Sequence, residues 1–280
     1  MWPQKIFSIA SHCFESFYTG HTMKKLSLTA ALLASMMTTS AFAEEPWTEV
    51  RIYLFATEIT GDAQLRNVSA DIDMSFGDIM DNLDMGFMGM VEHRRGEWSF
   101  IGDIAYLKIK DDDSSTVGPG VGPGIEIGLE AEFAQTVIEG FAGYRVLNNA
   151  YDSTDLGIDV LFGARHTTLD MDISLDTSLA SFSDSRSADR EDDWVDAVIG
   201  VRFQNDFRNG WGSSVWLDIG DGSDSSSYQG LAIANYTSSA WKFFGGWRVL
   251  HLEYDTGSGS SKFAVDLDYN GPMAGVAYRF

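Results

Sequence analysis

The sequence predicts an all-β fold, a single antiparallel up-and-down transmembrane β-barrel. Apolar and polar residues alternate in segments of about ten residues, which is the pattern of strands that have two different faces. Beyond the amino-terminal region, no apolar run reaches the roughly 20 residues that a membrane-spanning helix needs, while 13% of the chain is aromatic. Because lipid offers no hydrogen bonds to the backbone, spanning strands must close into a ring.

The amino-terminal region predicts an export signal. Lys24 and Lys25 precede an uncharged run, Leu26 to Ser40, and Ala41-Phe42-Ala43 follows. This is the order of a charged n-region, an apolar h-region and an A-x-A cleavage site. We therefore predict a signal peptide at 23–43 and a barrel domain at 44–280.

The segment 1–22 shows no pattern of its own, and we interpret it as an upstream extension from a mis-called start, with Met23 as the initiator. The alternative is a long n-region, which leaves the barrel unchanged. Cys13, the only cysteine, precedes the cleavage site. The mature chain is thus expected to contain no disulfide, thiolate metal site or cysteine nucleophile.

The barrel domain is strongly acidic. Once Lys5, Lys24, Lys25 and Glu15 are removed with the leader, 16 basic and 40 acidic residues remain, a formal charge of −24. Nucleic acid is excluded as a partner, because phosphate binding requires a clustered Lys/Arg surface.

We predict ten strands, with eight as the alternative count. Four short turns separate them at one end, Arg95-Gly96, Asn148 to Ser153, Arg208 to Gly210 and Thr237 to Ala240. Longer polar loops are predicted at the other end, at Asp111 to Gly124, Met171 to Asp193, Asp221 to Ser227 and Asp255 to Lys262, facing the cell exterior. The predicted strands are Val50–Ile59, Gly86–Arg94, Trp98–Ile109, Glu132–Val146, Leu156–Leu169, Trp194–Phe203, Trp211–Ile219, Gln229–Tyr236, Trp241–Tyr254 and Phe263–Phe280.

Period-two parity assigns the side chains to two faces. In the sixth predicted strand, Val195 to Phe203 gives an entirely apolar set facing lipid and a set with Asp196 and Arg202 facing the lumen. Trp98, Trp211 and Trp241 begin strands just after short turns, where an aromatic girdle is expected.

The carboxyl terminus carries the most specific local signal. Ala274, Val276, Tyr278 and Phe280 alternate up to the last residue, which resembles the signal read by the barrel-assembly machinery during biogenesis. With the Gly-x-Arg strand ends and the stretch Ser75 to Asp84, this chain resembles small bacterial outer-membrane β-barrels, the outer-membrane protein A-like superfamily, in an uncharacterised branch. The resemblance implies the fold and a location in the bacterial outer membrane.

Five strands carry a small residue two positions before an Arg, as in Gly143-Tyr144-Arg145 and Gly200-Val201-Arg202. Small residues leave room for guanidinium groups to reach carboxylates across a narrow lumen. We therefore predict a lumen closed by ion pairs, either a static polar core or the gate of a pore. Its predicted members are Arg51, Glu92, Arg94, Asp103, Glu139, Arg145, Asp159, Arg165, Asp196, Arg202, Asp218, Arg248 and Arg279, together with Glu49.

The first long loop predicts a short amphipathic helix. Ser75 and Asp78 have the spacing of a capping box, and Phe76, Ile79, Met80 and Leu83 have helical spacing. We consider a functional role, as a lid over the barrel mouth or a contact for a partner, and a structural role as a packing element.

The motif search predicts no catalytic residue, no cofactor and no specific metal site. His93, His166 and His251 face lipid by parity, and none has an acid and a hydroxyl at the sequence spacing of a triad. The acidic loops could bind divalent cations through oxygen ligands, but they lack EF-hand spacing. Gly118 to Gly124 lacks the Lys of a phosphate loop.

Three function classes remain. The sequence favours a structural or surface-interaction barrel that is not an enzyme and whose partners are outer-membrane lipid and lipopolysaccharide. The alternatives are a small gated, porin-like channel and a lipid A-modifying enzyme or other lipid hydrolase.

Overall fold

The computed structural model describes residues 45–65, 68–117, 125–151, 154–179 and 182–280. The predicted upstream extension and signal peptide lie outside these residues. The elements are β1 (Trp47–Phe55), β2 (Glu58–Leu65), β3 (Val68–Met74), α1 (Phe76–Asp81), β4 (Leu83–Arg95), β5 (Trp98–Val117), β6 (Ile125–Ala150), β7 (Asp155–Leu179), β8 (Phe182–Asp206), β9 (Trp211–Asp221), β10 (Ser225–Ser238), β11 (Trp241–Thr256), a 3-10 turn (Gly259–Ser261) and β12 (Phe263–Arg279).

The sheet is antiparallel and closes on itself. From β4 to β12 each strand pairs with the next in sequence, and β12 returns to pair with β1 over Met273–Arg279 and with β2 over Phe263–Asn270. β1 and β2 therefore form one barrel strand, interrupted at Ala56, whose N–H donates to the Pro272 carbonyl at 2.9 Å. Pro272 has no N–H to continue the ladder, which places the interruption there. The predicted all-β, up-and-down barrel of ten strands is confirmed.

The loops between β5 and β6 and between β7 and β8 are much shorter than predicted. Half of Asp111 to Gly124 and nearly all of Met171 to Asp193 are strand, since β5 runs to Val117, β7 runs to Leu179 and β8 starts at Phe182. The Asp, Ser and Gly content predicted solvated loops. The preference of a residue for a strand depends on its surroundings, however, and a paired strand whose outer face is exposed to solvent tolerates polar residues. The four barrel strands β5 to β8 thus extend well beyond the other strands at the end of the barrel where the long loops are predicted.

We call this end the loop end and the opposite one the turn end. The turn end has the predicted short connections, in which Gly96 (φ 58°), Arg208 (φ 56°) and Ser239 (φ 56°) take left-handed backbone conformations. Aromatic side chains meet on the outside of this end, and Trp98 lies 5.0 Å from Tyr144 and Trp241 4.9 Å from Tyr278 between ring centroids. The predicted girdle is present.

The outer face of the barrel carries a band of exposed apolar side chains. On β11 the outward positions run from Trp241 through Phe243 and Trp247 to Val249 before polar residues begin at His251. In the described part of the chain, no helix has the length and apolar character needed to cross a membrane.

Candidate functional site inside the barrel

The interior near the turn end is filled by charged side chains. Glu49, Glu92 and Asp159 are fully buried, with relative exposures of 0%. They come from β1, β4 and β7, at inward positions fixed by the period-two alternation of each strand. A charge buried in this way is tolerated only if it is paired and hydrogen-bonded.

The pairing in this turn-end cluster is extensive. Arg202 donates two bonds to Glu92, at 2.7 and 3.0 Å, and also contacts Asp159 at 2.8 Å. Arg94 reaches Asp159 at 2.7 Å, and Arg51 bridges Glu49 and Glu92 at 2.8 and 2.9 Å. Further contacts to these carboxylates come from Arg145, Lys242 and Arg279.

A second charged cluster lies in the middle of the barrel. Arg165, with no exposed surface, binds Glu139 at 2.6 Å and Asp218 at 2.7 Å. Arg248 lies 3.4 Å from Glu139 and donates to Gln229 at 2.6 Å. Gln229 in turn donates to Asp218 at 2.9 Å.

Two carboxylates of the middle cluster connect to arginine through hydroxyl groups. The Tyr53 hydroxyl donates to Asp103 at 2.8 Å and lies 3.2 Å from Arg248. The Ser227 hydroxyl donates to Asp196 at 2.5 Å and accepts from Arg165 at 2.8 Å. Both carboxylates therefore accept hydrogen bonds from hydroxyl groups, and neither forms a direct ion pair with a described residue.

The structure thus brings the fourteen residues predicted for the lumen to the inside of the barrel. Arg279 is the least enclosed, with 43% of its side chain exposed at the turn end. Lys242, Tyr53 and Gln229 also belong to the clusters and were missed by the sequence analysis. Parity places them inside as well, and Lys242, for example, shares its face with Arg248. The prediction of the lumen residues covered only Arg and acidic residues.

The interior toward the loop end is apolar, which the sequence analysis did not predict. Leu169, Leu252, Phe263 and Leu267 have no exposed surface, and Trp194 stacks on Tyr254 with ring centroids 4.6 Å apart. We call this the apolar layer. Its buried members are Ile59, Ile79, Ile109, Val137, Leu169, Trp194, Leu250, Leu252, Phe263, Val265, Leu267 and Tyr269.

The predicted helix is present as α1, and it has the full capping box. Asp78 N–H donates to the Ser75 hydroxyl and Ser75 N–H to the Asp78 carboxylate, at 3.3 and 3.0 Å. These bonds hold the pKa of Asp78 below its usual value. Only Ile79 of the predicted apolar stripe is buried, while Phe76 and Met80 are about half exposed.

Leu83, the fourth residue of that predicted stripe, belongs to β4. The helix ends at Asp81 because the C-cap residue Asn82, whose N–H closes the last turn on the Asp78 carbonyl at 3.2 Å, leaves the helical conformation at φ −107° and ψ 8°.

The histidines lie on the outer face. His166 Nε2 is 3.2 Å from Asp193, and His251 Nδ1 is 3.0 Å from Asp268 and 3.6 Å from Asp266. These acids come from neighbouring strands, which sequence spacing could not show. Donor atoms of His251, Asp266 and Asp268 lie within 4.8 Å of one another, so they could act as ligands of a cation.

No family model matches the sequence, and no curated protein matches it either. Among solved structures the chain is similar to the outer-membrane protease OmpT of Escherichia coli, at 10% identity over 88% of this chain and 100% of that one, with a TM-score of 0.47. It is similar to Ail of Yersinia pestis in complex with the heparin analogue sucrose octasulfate, at 11% identity over 85% of this chain and 100% of that one, with a TM-score of 0.35. It is also similar to the translocator domain of the autotransporter NalP of Neisseria meningitidis, at 12% identity over 98% of this chain and 98% of that one, with a TM-score of 0.39.

At these identities and TM-scores, the likenesses assign neither a family nor an activity to this chain. The class of protein follows from its own architecture, a closed ten-stranded antiparallel barrel with an apolar outside and a filled inside. Membership of the outer-membrane protein A-like superfamily stays a prediction.

Proposed function

We propose that the protein is an integral barrel of the bacterial outer membrane that acts through its outer surface rather than by conducting solutes. The observation that supports this most directly is the filled interior. Two charged clusters and an apolar layer follow one another along the barrel axis, and most of their side chains are buried.

The location is supported by the outer face. Ile52, Ile199 and Phe243 are each more than half exposed, and exposed apolar surface on this scale marks contact with lipid or a partner. Transmembrane barrels of this kind occur in outer membranes. Cell fractionation with heat-modifiable gel mobility tests the location: the unboiled protein should sediment with outer membranes and migrate differently after boiling. A monomeric protein that is soluble without detergent would contradict it.

The surface role is supported by the charge above the apolar band. Asp62 pairs across β2 and β3 with Asp71 and across β2 and β12 with Asp266. Hydrogen bonding to Asp71 and the neighbouring charges raise the pKa of Asp62. Such a surface repels the phosphates of lipopolysaccharide unless divalent cations bridge them. We therefore propose lipopolysaccharide, bridged by divalent cations, as the partner.

Flotation tests this partner. The detergent-solubilised protein is diluted into vesicles that contain either lipopolysaccharide or phospholipid only, each with Mg²⁺ or with a chelator. With Mg²⁺, recovery should be greater on lipopolysaccharide vesicles, and a chelator should remove the difference. Equal recovery in all four conditions would reject the partner and leave the membrane location intact.

A gated channel is the second candidate, because ion pairs can exchange partners. The observation that favours it is the connection of Asp103 and Asp196 to arginine through hydroxyl groups rather than through direct ion pairs. A lipid-modifying enzyme is the third, and an altered lipid A mass in a deletion strain would support it. An unchanged lipid A mass would agree with the non-enzymatic role.

A further inference from the structure

The barrel wall has an opening on one side, near the loop end. β1 pairs with β4 only as far as Ile52 and Gly89, and beyond this point β2 pairs with β3 instead. β3 is an end strand of the sheet and is not a neighbour of β4. Among the described residues, no backbone ladder therefore joins Tyr53–Phe55 to the first residues of β4.

The sides of this opening are apolar. Leu54 on β1 is 74% exposed, the highest value for a large apolar residue in any strand described, and Met85 and Phe87 on β4 are more than half exposed. Gly86, at an inward position of β4, is exposed as well. Behind the opening, Phe55 packs against the apolar layer, and Met88 packs against buried Tyr53.

Methionine is concentrated around the same opening. Five of the seven methionines after the leader fall between 74 and 90, at the end of β3, on α1 and on β4. Unbranched and polarizable, methionine adapts to ligands of variable shape and is overused on surfaces that bind them. The five are Met74, Met80, Met85, Met88 and Met90, of which Met90 lies opposite Arg51 in the paired part of β4, next to the opening.

α1 lies beside the opening and is attached by one buried side chain. Ile79 joins the apolar layer, whereas Phe76 and Met80 remain about half exposed. A six-residue helix has little stability of its own. It can therefore move aside at the cost of one apolar contact, as the lid predicted from the sequence would.

We propose that the opening between β1 and β4 is a lateral binding site for an acyl chain of an outer-leaflet lipid, with α1 as its lid. This inference rests on the proposed membrane location, because the sides of the opening carry the exposed apolar residues Leu54 and Phe87, whose neighbours in a membrane are acyl chains. The chain enters between Leu54 and Phe87 and contacts the inward-facing Met88.

The opening itself is tested with pairs of cysteines in the mature chain, which has no native cysteine. Leu54→Cys with Phe87→Cys occupies positions that would face each other if β1 and β4 stayed paired. Val50→Cys with Val91→Cys is the matched control, since these residues are paired in register and face outward. On mild oxidation in vesicles, mass spectrometry of thiol-blocked protein should show a disulfide for the control pair only. Equal oxidation of both pairs would overturn the proposal.

The occupant is tested in vesicles of phospholipid that carries a photoactivatable group in its acyl chain. After irradiation and digestion, label is expected on inward-facing Met88 as well as on outward-facing Phe87. Ile199, on the outer face of β8, reports contact with ordinary bilayer lipid. Label at Ile199 and Phe87 but not at Met88 would reject the lateral site while leaving the membrane location standing. Absence of label at all three would reject the membrane location itself.

Discussion

The two halves of the barrel interior are filled by different chemistry. Toward the turn end, Glu92 and Asp159 are held by arginines, and toward the loop end Leu252 and Leu267 pack against aromatic rings. Charged groups block the lumen only while their partners stay in place, because each unpaired ion is expensive. Apolar groups exclude water without partners. The lumen is therefore closed by two independent parts, one charged and one apolar, and separate substitutions can distinguish them.

The largest effect is expected in the charged half. Arg202→Met removes the guanidinium that joins Glu92 to Asp159, leaving two buried carboxylates with fewer partners. We expect a loss of about 4 kcal/mol in the free energy of unfolding, measured by urea titration in phospholipid vesicles. Arg202→Lys should recover only part, since an ammonium cannot form the same bidentate contacts.

The surface pair of Arg208 with Asp155, at 2.6 Å, provides the matched control. Arg208→Met should lower the free energy of unfolding far less than Arg202→Met does, because exposed ion pairs contribute little. If Arg202→Met and Arg208→Met were equally mild, the charged half would not be a cooperative part of the fold.

A somewhat smaller effect is expected in the apolar half. Leu252→Ala leaves a cavity against Phe263 and Leu267 and should cost about 3 kcal/mol in the same titration. The control is Val249→Ala, a truncation on the outward face of the same strand. A loss no greater than that of the control would show that the layer is loosely packed.

The smallest effect concerns α1. The pKa of Asp78 is lowered in the folded protein by its bonds to Ser75, so its stabilising contribution is present above the ordinary Asp pKa and is lost as the pH falls through the lowered value. The protection factors of the α1 amides, which are exchange rates corrected for the intrinsic pH dependence of amide exchange, should fall on acidification, and Ser75→Ala should remove most of this change. Protection factors that are high and independent of pH would contradict the role of the cap and of α1 as a lid.

Parity could predict which residues face inward, because the side-chain period of a strand is fixed by its geometry. It identified Arg165 and Asp218 as lumen residues although 53 positions separate them. Parity with Arg248 also places Leu250 and Leu252 inside, but their apolar character is that of lipid-facing residues, and the apolar layer was therefore not predicted. Nor could parity predict the opening beside β4, which depends on the interruption of one strand at Ala56.

Composition predicted loops where paired strands continue above the apolar band. The composition of the Asp-rich segment after Ile109 predicts a solvated loop, but its backbone pairs with β6 as far as Val117. Polar side chains are compatible with either state, so only the identity of the partner strand decides between them.

Closure of the interior is the central claim, and single-channel recording of the purified protein in planar bilayers tests it most directly. We predict no steady conductance for the unaltered protein or for Arg202→Met, because the apolar layer still excludes water. A steady conductance of porin size in the unaltered protein would contradict the claim.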